Sequence, residues 1–269
     1  MVAANLALES CQIVGTDGQD TLGVGFSHPG SWGLRALGAH IELSNCTLTG
    51  GAGGDELSAG VGYPAGAGGH ALFALGSTIT LSGCTLVGGA GGHNAGIASS
   101  GAAAGGAALA ADETSVVWLR DTTATGGAGG TDASGIDGPA GADIDATNVV
   151  QFPGPARTVH MDAPLVEGGS GVLSVAGQPG ELAALLVSFD GVWLGVPKFG
   201  GPLLVGAPAY APWVLGPLDA SGGLQPGFVV PDLGLAADAG SRVLLQLITS
   251  TGSAVVLGDA SATVLLGGP

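Results

Sequence analysis

The chain has 269 residues, of which 54 are Gly and 15 Pro, with 46% hydrophobic and 10% charged residues. That aliphatic content excludes a disordered Gly-rich chain, and the lack of Gly at every third position excludes a collagen. A formal charge of −16, with only Arg35, Arg120, Arg157, Lys198 and Arg242 as bases, excludes nucleic acid and an anionic membrane surface as partners.

Taken from its start, the chain shows no charged segment before an apolar one over Met1 to Asn5, and a repeat is already running by Leu6. It therefore reads as a mature or truncated piece of a longer secreted protein, or as one with an added initiator Met. The repeat is clearest in Leu43-Ser44-Asn45-Cys46-Thr47-Leu48-Thr49-Gly50-Gly51-Ala52-Gly53-Gly54. It returns 38 residues later as Leu81-Ser82-Gly83-Cys84-Thr85-Leu86-Val87-Gly88-Gly89-Ala90-Gly91-Gly92. Leu119 to Gly130 is a weaker copy, and Leu8 to Gly15 a degenerate earlier one. A fixed period in this range marks a solenoid.

Within each copy, apolar and polar residues alternate on both sides of a polar corner: Ile41, Leu43, then Cys46, Leu48; Ile79, Leu81, then Cys84, Leu86; Val117, Leu119, then Thr122, Ala124. Period two with one apolar face is a half-buried strand. Short strands joined by one- or two-residue corners at a fixed period predict the coils of a parallel β-helix, with like residues stacked one strand spacing apart. Cys11, Cys46 and Cys84 share one register, so they are expected to point inward as a ladder of free thiols rather than to form a disulfide framework. The rest of each period is Gly-rich, for example Gly50 to Gly69. Two accounts fit it: ordered, polyproline-II-like rods packed on the helix, which the repetition favours, or flexible loops.

The pattern apolar-x-Leu-Ser-x-Cys-Thr-Leu-x-Gly-Gly resembles secreted right-handed parallel β-helix proteins of the pectin-lyase-like group, over about residues 1 to 150. The resemblance implies a fold and no particular activity, because that fold carries lyases, hydrolases, adhesins and inert scaffolds.

Phe152-Pro153-Gly154-Pro155 reads as a linker, dividing residues 1–152 from residues 153–269. Beyond it, short strands are predicted at Gly171 to Ala176, Leu182 to Phe189, Leu203 to Val205, Arg242 to Thr249, Ala254 to Leu257 and Ala262 to Leu266. With their Gly, Pro and Asp punctuation they predict a β-sandwich. Leu182 to Val187 and Arg242 to Leu247 read as central strands buried on both sides. The most apolar window, Leu194 to Leu218, holds Lys198 and five prolines, so it is not a membrane-spanning helix. Leu185-Leu186-Val187-Ser188, Gly200 to Leu204, Leu215 to Gly222 and Val255 to Leu266 resemble a C-terminal module of bacterial secreted and surface proteins. That likeness implies export and attachment.

No constellation stands out as catalytic. Polyuronate lyases of the β-helix class use Arg or Lys beside acid-bound calcium, and the helical half holds only Arg35 and Arg120, with a net charge of −11 over residues 1–152. Arg120 is expected to form a solvated ion pair with Asp121 at a corner. Asp112-Glu113 and Asp143 with Asp145 do not stack as a glycosidase pair. Asp17 and Asp20, and Asp132 and Asp137, put carboxylates on Gly-containing loops that could bind calcium, although plain polar turns are the favoured reading, since Asp and Gly are ordinary turn residues. His28, His40, His70, His93 and His160 share no ligand spacing. Asn45-Cys46-Thr47 is formally a glycosylation sequon at a corner where Asn is favoured anyway. Trp32, Trp118, Trp193 and Trp213 could form a sugar-stacking platform or fill cores. The expectation is a non-enzymatic extracellular structural protein of a bacterial surface that requires no cofactor, with calcium as an optional ligand. Its partners would be further copies of itself, stacked head to tail into a filament, sheath or stalk. The alternative is a surface protein that binds or cleaves polysaccharide.

Overall fold

The computed structural model describes residues 5–21, 27–57, 63–95, 102–162, 164–206, 212–232, 234–236 and 239–267. The chain forms two compact units, residues 1–117 with 122–150, and residues 118–121 with 151–269.

The repeats supply strands β1 (Asn5–Glu9), β2 (Gln12–Val14), β3 (Leu34–Leu37), β4 (His40–Ser44), β5 (Thr47–Thr49), β6 (Leu72–Leu75), β7 (Thr78–Ser82), β8 (Thr85–Val87), β9 (Leu109–Ala111), β10 (Val116–Arg120), β11 (Thr123–Thr125), β12 (Ile144–Asp145) and β13 (Val149–Phe152). They form three sheets, β1-β4-β7-β10-β13, β2-β5-β8-β11 and β3-β6-β9-β12. Every pair with a defined register is parallel. Each coil gives one strand to each sheet, which makes a parallel β-solenoid of about three turns. Ile41 pairs with Ile79, Leu43 with Leu81 and Leu48 with Leu86, as the repeat requires. Leu43, Leu48, Leu72, Ile79, Leu81 and Leu86 are fully buried.

The corner between the first two sheets is a single residue in the left-handed region: Ser10 (φ 53°), Asn45 (φ 53°), Gly83 (φ 61°) and Asp121 (φ 47°). Gly, Asn and Asp enter that region at least cost, which explains the polar column at this register. The alternating pattern predicts one covered face for β4 and β7. Both faces are buried, Glu42, Thr80 and Ser82 included, since alternation tells which side is apolar but not how much of the polar side is covered.

The Gly-rich runs are ordered rods over the described residues. Gly50, Gly53 and Glu56 donate their N–H groups to the carbonyls of Val87, Ala90 and His93, the outgoing run of the next coil. Gly51 and Gly54 donate to Ser31 and His28 of the preceding returning run, and Gly69 and Gly66 donate back to Gly51 and Gly54. Donors three residues apart point the same way, which is the three-residue turn of polyproline II, a helix with no internal hydrogen bonds. Each rod therefore satisfies its backbone only through its neighbours. The rods lie so close that a Cβ on Gly89 would sit 2.6 Å from the Gly51 carbonyl carbon, and nearer still to its oxygen. The third column of each turn faces outward, where Ala90 and Ala128 are exposed.

The second unit contains β14 (Thr158–Met161), β15 (Leu165–Val166), β16 (Ser170–Ala176), β17 (Leu182–Ser188), β18 (Gly191–Val196), β19 (Gly201–Val205), β20 (Trp213–Pro217), β21 (Gly223–Leu224), β22 (Gly227–Val229), β23 (Gly240–Ser250) and β24 (Val255–Leu266). Its sheets are β14-β16-β21, with β22 also on β16, then β15-β24-β23-β17-β20, and the pair β18-β19. Val159, Met161, Leu173 and Val175 of the first sheet share one hydrophobic core with Ala183, Leu185, Leu245 and Leu247 of the second. β23 is buried on both faces from Val243 to Leu247. β17 alternates instead between buried and half-buried residues. The two strands expected over Ala254 to Leu266 are one, running through Gly258-Asp259. The Asp259 N–H donates to the Arg157 carbonyl (2.8 Å), and a Cβ at Gly258 would meet that same oxygen at 2.6 Å. Gly258 there permits a close backbone approach and does not end the strand.

Candidate functional site

The acidic residues are bound up in the architecture. Asp17 and Asp20, on the first outgoing rod, accept the N–H groups of Ala52 (2.7 Å) and Asp55 (2.8 Å) on the next. The column continues, with Asp55 accepting from the His93 N–H (2.7 Å) and the His93 Nδ1 from the Thr131 N–H (3.0 Å). An outward-facing residue of each rod thus caps the backbone of its neighbour. Asp132 accepts the N–H groups of Ser134 (2.8 Å) and Ile136 (2.9 Å), and Asp137 accepts the Thr131 hydroxyl (2.9 Å). The four carboxylates named for calcium lie at opposite ends of the rod layer, two on the first run and two beyond the last. Among the described residues no three His, Cys, Asp or Glu converge as a metal site.

Asp112 accepts the hydroxyls of Ser115 and Thr114 and the N–H of Gly76 in the preceding coil. These bonds, the Ser115 hydroxyl foremost, hold its carboxyl down at about 2, the direction opposite to the one that a general acid working near neutral pH requires. Asp143 accepts the Gly126 N–H (2.8 Å). Arg120 is not a solvated partner of Asp121. It clusters with the second unit, is buried, and donates to the carbonyls of Leu257 (2.8 Å) and Gly200. Asp121 instead accepts the Ala156 N–H (3.3 Å).

Two surfaces of the solenoid remain as candidates for interaction. The first is the outer side of β3 and β6, where rings stack along the coils. Trp32 lies 5.2 Å from Phe73 at 11°, Phe73 lies 5.8 Å from His70 at 14°, and the Arg35 guanidinium sits 4.7 Å over the Trp32 ring. Trp32 is 40% exposed, and Leu37 and Leu75 are exposed at the far ends of β3 and β6. His70 is held below its ordinary pKa by burial, against the opposing pull of Asp145, and its Nδ1 accepts the Ala107 N–H (2.9 Å) as a neutral ring would. Trp118 is buried, and Trp213 pairs edge-on with Phe228 in the second unit, while the Trp193 side chain lies outside the described part of the structure. The ring stack was legible in principle. Trp32 and His70, and Arg35 and Phe73, are 38 residues apart, but their period is masked by the change of residue type.

The second surface is the open first coil. β1, β2 and β3 are each terminal in their sheets. Leu6 is 36% exposed, whereas its equivalents Ile41 and Ile79 are 3% and 0% exposed. Leu8, Cys11, Ile13 and Leu34 are likewise only half-buried, where the next coil buries Leu43, Cys46, Leu48 and Leu72. The apolar core runs out to this end without a cover among the described residues, and β1, β2 and β3 have no further strand on their outer side among them. No protein-family model matches the chain, and no curated protein matches its sequence.

Proposed function

We propose that the protein is a non-enzymatic structural component of a bacterial cell exterior, whose right-handed solenoid extends head to tail through its first coil. In this reading the second unit is a β-sandwich module serving export and attachment. The observation that carries the proposal is the graded burial of one repeated column, from Leu6 at 36% to Ile79 at 0%. Another coil in register would cover Leu6, Ile13 and Leu34 and pair the edges of β1 to β3. Edges β11 and β12, terminal at the other side of their sheets, offer the complementary ladder. Such a heterologous contact does not close and builds a filament. That the acids cap backbone groups supports a structural role over a catalytic one. Light scattering with negative-stain microscopy over a concentration series should show linear assemblies, and Leu6→Lys, which puts a charge on the edge, should abolish them. Uniform monomers at every calcium concentration, or a closed dimer, would overturn the reading.

The ring stack favours a second reading, the binding of cell-surface polysaccharide. A column of near-parallel stacked rings ending at the exposed Trp32, with one exposed guanidinium, suits the apolar face and hydroxyls of a sugar. Retention of the protein on immobilised polysaccharide should weaken about tenfold in Trp32→Ala if stacking contributes roughly 1.4 kcal/mol. Equal retention of both proteins removes this reading.

A further inference from the structure

Cys11 and Cys46 hold equivalent positions in successive coils. Glu9 pairs with Ser44 and Gln12 with Thr47, so the intervening register sets Cys11 opposite Cys46. The Cys11 N–H donates to Cys46 Sγ (3.4 Å), and the Thr47 N–H donates to the Cys11 carbonyl (2.8 Å). Parallel partners ~4.8 Å apart fall inside the ~4.4–6.8 Å Cα window of a disulfide. Both sulfurs occupy the same corner: Cys11 Sγ lies 3.2 Å from the Glu9 carbonyl oxygen, and Cys46 Sγ lies 3.3 Å from that of Ser44 and 3.5 Å from that of Leu8. Burial pushes the Cys46 thiol above its ordinary pKa, against the opposing hydrogen bond from the Cys11 N–H. Cys11 is the half-buried member of the ladder, while Cys46 and Cys84 are both buried. An oxidant therefore meets Cys11 first, at the open end of the solenoid.

We propose that Cys11 and Cys46 are a redox modification site, joined by small-molecule disulfides of the glutathione type into one coil-to-coil disulfide. The Cys11 thiolate attacks one sulfur of the reagent, forming a mixed disulfide and releasing one reagent thiolate. The Cys46 thiol loses its proton, and its sulfur attacks Cys11 Sγ, forming the Cys11–Cys46 bond and expelling the second reagent thiolate. Two protein thiols are oxidised, one reagent disulfide is reduced to two thiols, and the two protons released go to those thiols. Cys84, one coil deeper with its Sγ 3.3 Å from the Leu43 carbonyl oxygen, keeps its thiol. The bond ties the least covered coil to the next one, independently of whether other copies stack on it.

The test is oxidation of the native 269-residue chain with oxidised glutathione, followed by thiol counting after denaturation and mass mapping of alkylated, digested peptides. Of the three cysteines, one titratable thiol should remain, and a linked peptide pair containing Cys11 and Cys46 should appear, lighter by two hydrogens. Cys84→Ser should oxidise in the same way and leave no free thiol. Cys46→Ser should stop at glutathione on Cys11, with its circular dichroism checked against the parent. Three surviving thiols, a Cys46–Cys84 link, or a stable glutathione adduct on Cys11 in the unaltered protein would each overturn the proposal.

Discussion

Gly89→Ala should cost the first unit about 4 kcal/mol or more, placing it among the most damaging single substitutions. Three rods meet at this residue. Its N–H donates to Gly69 (2.8 Å), its carbonyl accepts from Gly106 (2.8 Å), and an added methyl would point into the Gly51 carbonyl group. Where a backbone can accept it, Gly→Ala is usually stabilising by about 0.4–1 kcal/mol, because the unfolded chain loses freedom. Here the obstacle is backbone that itself accepts a hydrogen bond from Gly69, so relief at one rod breaks another. Ala90→Ser, one residue along on the exposed column, should stay within about 0.5 kcal/mol. Urea unfolding of the two variants beside the parent reads both. A Gly89→Ala protein as stable as its parent would mean the rods do not pack in this way.

Arg157→Met should destabilise the second unit by about 3–5 kcal/mol, the usual cost of leaving one member of a buried ion pair. Arg157 and Glu181 are both buried, with Nη2 and Oε1 2.6 Å apart. The guanidinium also donates to the Thr249 hydroxyl (2.9 Å) and the Pro155 carbonyl (3.0 Å). Burial alone would raise the Glu181 carboxyl, but hydrogen bonds from Arg157 and the Gln178 N–H, with the arginine charge, hold it below its ordinary value. A carboxylate depressed in the folded state stabilises it fully above the unfolded pKa of ~4.3, and that contribution disappears as pH falls through the lower folded value. Arg157→Met reverses the sign. Desolvation then raises Glu181, so the variant should be weakest at neutral pH and recover part of its loss on acidification. Replacing both residues by apolar ones, Arg157→Met with Glu181→Leu, should restore most of the stability. Thermal melts from pH 4 to 8 distinguish these outcomes, and identical pH profiles for Arg157→Met and the parent would contradict the assignment.

The solenoid was readable because its register is written twice, once in the alternating strands and once in a near-constant spacing. Ile41 over Ile79 and Leu43 over Leu81 need no knowledge beyond the period. The thiol column follows from the same register. The Gly runs were readable as repeated but not as bonded, because a rod with no internal hydrogen bonds leaves no signature except the spacing of its glycines. Which rod accepts from which depends on how the chain returns, and that is a tertiary fact. The role of the acids was hidden for a related reason. Asp17 and Asp20 stand on Gly-containing loops in the sequence, and only the fold shows that each accepts a backbone N–H of the neighbouring rod. In the second unit Gly258 reads as a strand end, since the carbonyl of Arg157 that it accommodates lies 101 residues away. Arg120 reads as solvent-facing for the same reason, its acceptors being Gly200 and Leu257.

Native-state amide exchange tests the central claim, that the glycine runs are a hydrogen-bonded lattice continuous with the coils. The N–H groups of Gly51, Gly54, Gly69, Gly89, Gly92 and Gly106 all donate between rods. They should exchange as slowly as the amides of β4 and β7 and become labile together with them as urea is raised. Exchange of these glycines at the rate of an open chain, while the strands stay protected, would contradict the account.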